Sequence, residues 1–361
     1  MQDSKNSPRI LFKAKLLAMI PLLLQWYQEN KKMLPWRQTP TPYHVWISEI
    51  MLQQTRIEAV LPYYSRFLDA APDVFALAAL SEDCLMKLWE GLGYYSRARN
   101  LRKCASLLIE KYEGELPANT EELKKLPGIG EYTAGAIASI AFGLPAPAVD
   151  GNVMRVLSRL FTIPADPTLP ALRKTVASEL AEVYPTGKTA GALTEALMEL
   201  GENVCIPNGV PKCGTCPLSG LCAAHSAGLE NEYPKIAKKK ARRVEDRTVF
   251  LLCADEKYAL RRRQETGLLA GMLEPPNTAG FLSEEDAAAW CAEQGLSVTA
   301  LVPCGNAKHL FTHVEWHMIG YRVFCSAPTQ NFLWHTAAEI SGEDAIPSAY
   351  SFFIREIQKA K

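Results

Sequence analysis

The sequence predicts two domains: a mostly α-helical block over 1–228 and a smaller α+β domain over 247–361, joined by a basic linker, 229–246. Three observations carry that expectation. From Phe12 to about Ala223, apolar residues recur at three- and four-residue spacing, punctuated by Pro, Gly and capping residues. Four cysteines crowd into the end of the block, Cys205, Cys213, Cys216 and Cys222. Beyond residue 225 the character changes, with strand-like runs at Arg247–Cys253 and Met318–Cys325 and helical spacing at Ser283–Gln294.

The elements follow in chain order. Leu16–Leu24 is about half the length of a membrane span, and Gln25-Trp26-Tyr27-Gln28-Glu29 follows it instead of a signal cleavage site. It reads as the buried face of a first helix. Glu49 lies in a helical run whose neighbours at −4, −3 and +3 are Val45, Trp46 and Leu52. A carboxylate on that face is poorly solvated, so its protonated form is favoured, and a buried acid needs a partner or a function. Asn119 reads as a cap, with Glu122 three residues on.

Leu126–Gly135 links two short helices through Gly128 and Gly130, and exposed N–H groups at the second helix's start can bind a phosphate. An ordinary interhelical turn is the competing reading. Asp150 caps the next helix after the stiff, apolar approach Leu144–Val149. An acid at Glu49 and an ionised partner at Asp150 form the kind of pair that bond breaking at an anomeric carbon requires.

The cysteine spacing, C-x7-C-x2-C-x5-C with interspersed Pro and Gly, can wrap one metal centre. Zinc sites pair two C-x2-C knuckles, and a single knuckle leans towards a cubane iron–sulfur cluster, with zinc as the alternative. The other six cysteines have no framework spacing and fit free thiols in a reducing cytosol. Lys235–Arg243 is basic and serves either as a solvated tether or as a DNA contact. With 39 basic and 39 acidic side chains the net charge is zero, which excludes a strongly basic chain but not a local nucleic-acid patch.

Together these motifs resemble the helix–hairpin–helix DNA glycosylase superfamily, to which endonuclease III belongs, and more closely its MutY-type adenine DNA glycosylases. The residues that carry the likeness are Leu34-Pro35-Trp36-Arg37, Trp46 to Thr55, Gly91-Leu92-Gly93-Tyr94-Tyr95-Ser96-Arg97, the 126–135 hairpin, Val149-Asp150-Gly151-Asn152-Val153-x-Arg155-Val156 and the four-cysteine loop. The resemblance implies a [4Fe–4S] cluster on Cys205, Cys213, Cys216 and Cys222, and removal of adenine opposite 8-oxoguanine or guanine in double-stranded DNA. Position 132 is a lysine in endonuclease III-like enzymes, whose amine attacks the sugar and cuts the strand. Tyr132 forms no Schiff base, so a monofunctional enzyme is expected.

By the same resemblance, Glu49 and Asp150 are catalytic, and Tyr132 and Asn152 position the sugar and Asp150. Arg37 and Glu195 hold adenine. Gln54 and Tyr94 wedge the base stack, Thr55 touches that strand, and Leu92, Gly128 and Gly130 join the DNA-binding set. The tail resembles a Nudix-like lesion-reading domain in which Phe311, Thr312 and His313 stand where the family usually has Phe-Ser-His. It lacks an acidic Nudix box, so pyrophosphate hydrolysis is not expected. The first cysteine gap is seven residues where the family commonly has six. A cytoplasmic monomer is expected, and other repair or replication proteins remain open as partners. The rivals are an endonuclease III-like pyrimidine glycosylase and lyase, a silent DNA-binding scaffold, and an iron–sulfur electron carrier.

Overall fold

A computed structural model describes residues 7–237 and 241–359. Lys238–Lys240, the centre of the expected basic linker, lie outside the described residues. Contacts divide the chain into two units, 1–79 with 100–238, and 80–99 with 239–361.

The first unit is helical. Its opening helix, Ser7–Asn30, buries Leu16, Met19 and Leu23 and leaves Leu17 and Leu22 exposed, as three- and four-residue spacing requires. It packs in one core with the helices Gly151–Phe161 and Lys188–Asn203. The hairpin is formed by Thr120–Leu123, capped by the Asn119 side chain, and Glu131–Ala136, which continues into a π-helical turn, Ile137–Ala141. Gly128 sits at φ +79°, where a Cβ would also meet Asn100 Cβ at 2.8 Å. Gly130 needs no such freedom. Its φ is −94° and a Cβ there would meet nothing within 4 Å.

The second unit is built on a seven-stranded sheet: β1 Arg243–Ala254, β2 Lys257–Arg262, β3 Leu273–Glu274, β4 Asn277–Ala279, β5 Val298–Leu310, β6 Val314–Cys325 and β7 Leu333–Thr336. The main path is β3-β2-β1-β6-β5, with β4 on β1 and β7 on β2. β1 and β6 run parallel from Arg243 opposite Val314 to Cys253 opposite Phe324. Alternate β1 residues go to opposite cores. Val249 and Leu251 meet Ile340, Phe353 and Ile357, whereas Phe250 and Leu252 meet Ala287 and Cys291. Cover on both faces explains why this strand reads as an unbroken apolar run.

Both expected strands start four residues earlier than the apolar signal, at Arg243 and Val314. The expected helix is Glu284–Glu293, with Ser283 as its cap. Glu274 is buried in this unit. Burial would raise its pKa, but the Tyr350 hydroxyl and Arg263 outweigh that and hold its carboxyl below the ordinary range. Among the described residues no helix is long and apolar enough to cross a membrane.

Candidate active site

One cavity in the helical unit is lined by Arg37, Glu49, Tyr132, Asp150, Asn152 and Glu195, together with Trp36, Thr55 and Met198. Six of the residues singled out as catalytic or base-holding are therefore neighbours, although they span 37 to 195 in the chain. Glu49 sits on Pro42–Leu52 and is 6% exposed. Burial pushes its carboxyl up to about 7, against the opposing effect of the Tyr132 hydroxyl, which donates to Oε2 at 2.6 Å. Tyr132 also lies 3.7 Å from Met198 Sδ.

Asp150 caps Gly151–Phe161. Its Oδ1 accepts the Val153 N–H at 2.7 Å and its Oδ2 the Asn152 side-chain amide at 2.8 Å. Burial raises its pKa too, but these donors favour the charged form. Glu49 accepts a hydroxyl, whereas Asp150 is gripped by two N–H groups.

Behind this pair stands Arg155, which carries no assigned role in the sequence. Its Nη2 donates to Asn152 Oδ1 at 2.7 Å and to the Gly201 carbonyl at 2.6 Å, and its Nε to the Cys205 carbonyl at 2.7 Å. The start of the Asp150 helix is thereby tied to the cysteine loop.

At the other side of the pocket, Arg37 pairs with Glu195 at 3.0 Å and with Glu199 at 2.7 Å. Glu199, Glu202 and Tyr27 went unnoticed in the sequence. The available signal was Glu195, Glu199 and Glu202 along one helix, Lys188–Asn203, close to one another on the turns that meet the pocket.

The loop cysteines lie together. Cys205 is buried and the other three are half-buried. Burial pushes Cys216 up to about 11 and raises Cys213 and Cys222, and the sulfurs oppose one another's ionisation. Arg159 Nη1 reaches Cys205 Sγ at 3.3 Å. Four soft sulfur donors on one short loop fit a cationic metal centre, whose positive charge favours the thiolate form. Cys213 also has His225 and Glu230 beside it, their ligand atoms within 4.8 Å of one another.

The expected DNA-contact residues fall in several places. Gln54 is exposed at φ +59°, in the first unit. Leu92 and Tyr94 belong to the second unit. Leu92 is buried, and Tyr94 is 46% exposed at φ +50°. Phe311, Thr312 and His313 form the turn between β5 and β6. The Phe311 ring packs edge-on against Trp316 at 4.9 Å, and the Thr312 hydroxyl lies 2.9 Å from Tyr94 Oη.

Comparisons with known proteins agree with this architecture. The HhH-GPD superfamily of base excision DNA repair proteins matches residues 47–182, and the NUDIX domain matches 248–355. The adenine DNA glycosylase of Buchnera aphidicola subsp. Baizongia pistaciae is 35% identical over 303 residues, covering 82% of this chain and 83% of that protein. The human adenine DNA glycosylase is 32% identical, over 86% of this chain and 67% of that one. Among solved structures, a thermostable thymine-DNA glycosylase aligns at TM-score 0.54 and 28% identity, covering 59% of this chain and 98% of that one. Endonuclease III in a non-covalent DNA complex aligns at 0.52 and 27%, over 60% and 98%. With a helix–hairpin–helix core, a Nudix-like second domain and this degree of identity along most of its length, the chain belongs to the adenine DNA glycosylase family.

Proposed function

We propose that the chain hydrolyses the N-glycosidic bond of adenine paired with 8-oxoguanine or guanine in double-stranded DNA, without cutting the strand. The observation that carries this reading is the pairing of Glu49 with Tyr132 and of Asp150 with Asn152 in one pocket. A duplex base reaches such a pocket only by flipping out of the stack. Glu49, at about 7, still holds a proton near neutral pH. It gives that proton to N7 of adenine, so the base departs neutral.

Asp150, held by Val153 and Asn152, stabilises the positive charge that develops on the sugar. The Glu49 carboxylate then takes a proton from the water that adds at the anomeric carbon. Tyr132 offers a hydroxyl and no amine, so no Schiff base forms and the strand stays intact.

The remaining residues serve recognition. Arg37 and Glu195 hold the base. Gln54, Thr55, Leu92, Tyr94, Gly128 and Gly130 grip the DNA, and Phe311, Thr312 and His313 read the base opposite. Cys205, Cys213, Cys216 and Cys222 hold a [4Fe–4S] cluster, which supplies a cross-link bracing the loop and enters no step of the reaction. The grouping of Cys213 with His225 and Glu230 makes zinc the competing occupant. The scattered thiols suit a reducing cytosol.

The test is incubation with duplexes carrying A opposite 8-oxoguanine, G, T or C, followed by alkali, with a parallel borohydride-trapping arm. Alkali-dependent cleavage at A opposite 8-oxoguanine and G, with no trapped adduct, is expected. A strong adduct, or release of pyrimidines instead, overturns the reading. Iron and acid-labile sulfide in the purified protein support the cluster, whereas stoichiometric zinc excludes it.

A further inference from the structure

Glu199 is a costly residue to bury. It is 2% exposed on Lys188–Asn203, and a carboxylate in that position is destabilising unless fully partnered. Both its oxygens are used. Oε2 accepts from Arg37 Nη1 at 2.7 Å, and Oε1 accepts the Lys32 backbone N–H at 3.0 Å. Arg37 Nη1 also donates to the Lys32 carbonyl at 3.0 Å. The other edge of the guanidinium is set by Glu195, whose Oε1 accepts from Nε at 3.0 Å. Glu195 is fixed in turn by Tyr27, whose hydroxyl donates to Oε2 at 2.7 Å and whose ring lies 5.5 Å from the guanidinium. Nε and Nη1 are thus committed. Among the described residues Arg37 Nη2 takes no bonded partner, and Arg37 and Glu195 both line the pocket.

We infer that Glu199 and Tyr27 are positioning residues that turn Arg37 and Glu195 into a reader of the 6-amino group. The inference rests on the proposal that Arg37 and Glu195 hold the base. Fixed as described, they present one donor beside one acceptor. Adenine offers the complement, an amino group beside a ring nitrogen. A 6-oxopurine reverses the pattern, with a carbonyl beside a ring N–H. An arginine free to swivel satisfies either edge, whereas one locked by Glu199 satisfies only the first. Unpaired polar groups in a closed site are what make such discrimination steep.

The experiment is single-turnover excision by the full-length protein from duplexes carrying adenine, hypoxanthine or unsubstituted purine opposite 8-oxoguanine. Glu199→Gln keeps the volume and removes the charge. Its adenine rate is expected to fall about tenfold or more relative to purine, because small misplacements in a reactive complex carry penalties of that order. The hypoxanthine-to-adenine ratio rises. Tyr27→Phe shifts both ratios in the same direction by a smaller factor. A purely structural role lowers all three substrates in parallel, and that result overturns the inference. If Glu199→Gln melts before assay temperature, Tyr27→Phe decides, and unchanged ratios in it reject the proposal. Arg37→Lys separates the two levels. Unchanged ratios in Arg37→Lys reject the base-holding reading itself. Ratios that move in Arg37→Lys but not in Glu199→Gln or Tyr27→Phe reject the positioning role alone.

Discussion

The carboxyl of Glu49 is ordinary chemistry in an unusual place. Its ordinary pKa of 4.5 becomes about 7 through burial, so between those values the folded chain holds a proton that the unfolded chain has lost. Stability from this group is therefore fully present below 4.5, falls as pH rises to about 7, and is flat above. The whole difference is of the order of 3 kcal/mol. Glu49→Gln escapes that penalty, so it should melt above the wild type at pH 8 and lose the advantage towards pH 4.5, as calorimetry across that range will read. The same variant should lose adenine release by roughly 10²–10⁴-fold while still binding DNA, because an amide cannot deliver the proton. In the wild type the rate should fall above a pKa near 7. Near-normal excision by Glu49→Gln removes Glu49 from the mechanism. This residue was legible in the sequence because a lone acid among Val45, Trp46 and Leu52 violates the helix's own apolar pattern. Glu199 was not, because its partners Arg37 and Lys32 lie more than 160 residues away and only the fold joins them.

At the scale of elements, the decisive feature is how closely Lys188–Asn203 approaches the start of Gly151–Phe161. A Cβ on Gly201 would lie 2.6 Å from Asn152 Cβ and 3.1 Å from its Cα. Gly201→Ala must push Asn152 away, and with it the amide that holds Asp150. Overpacking of this kind costs about 1–3 kcal/mol, and the displaced Asp150 should lower single-turnover excision by about 10²-fold. Gly130→Ala is the contrasting variant. It meets nothing within 4 Å at an ordinary φ, so its melting point should stay put while DNA affinity falls, since the added methyl stands on the outward face of the hairpin. A loss of stability in Gly130→Ala, or none in Gly201→Ala, contradicts these packing assignments. If the proposed cluster sits on this loop, Cys213→Ser should strip its visible absorbance and weaken DNA binding, and a wild-type protein without that absorbance rejects the cluster. β6 was legible from Met318 onward, but its partner β5 escaped the sequence reading because Pro303 and Gly305 interrupt β5 where its register with β6 shifts, and because β5 is exposed at most positions. Three of the four extra residues at the start of β1, Arg243, Glu245 and Asp246, are charged and the stretch pairs through backbone with β6, so hydropathy does not mark it.

At the scale of the whole chain, the contact-defined units do not follow chain order, and that decides how the proposed lesion-reading role is best tested. Residues 80–99 belong with the Nudix-like unit. Lys87 Nζ donates to the Asp344 carbonyl at 2.9 Å, Ile346 N–H to Glu90 at 3.1 Å, and Arg262 pairs with Asp83 at 3.4 Å. No local pattern reveals an association across 179 to 257 positions, so the sequence suggested a simple cut near residue 228. Truncation there removes the proposed reader and also strips 80–99 of these partners, including the hydroxyl facing Tyr94. A point variant is cleaner. Thr312 is exposed in the turn after β5, and its side chain contributes no bond to the β5–β6 ladder. Thr312→Ala should therefore melt within about 0.5 kcal/mol of the wild type. One lost hydrogen bond to the opposite base is worth about 1 kcal/mol, so the preference for adenine opposite 8-oxoguanine over adenine opposite guanine should fall about fivefold. Excision opposite guanine, which lacks the oxidised edge, should hold its rate, and Thr312→Ser should keep the full preference. An unchanged ratio in Thr312→Ala places lesion reading elsewhere in the chain. A parallel loss on both substrates assigns Thr312 to the support of Tyr94 instead.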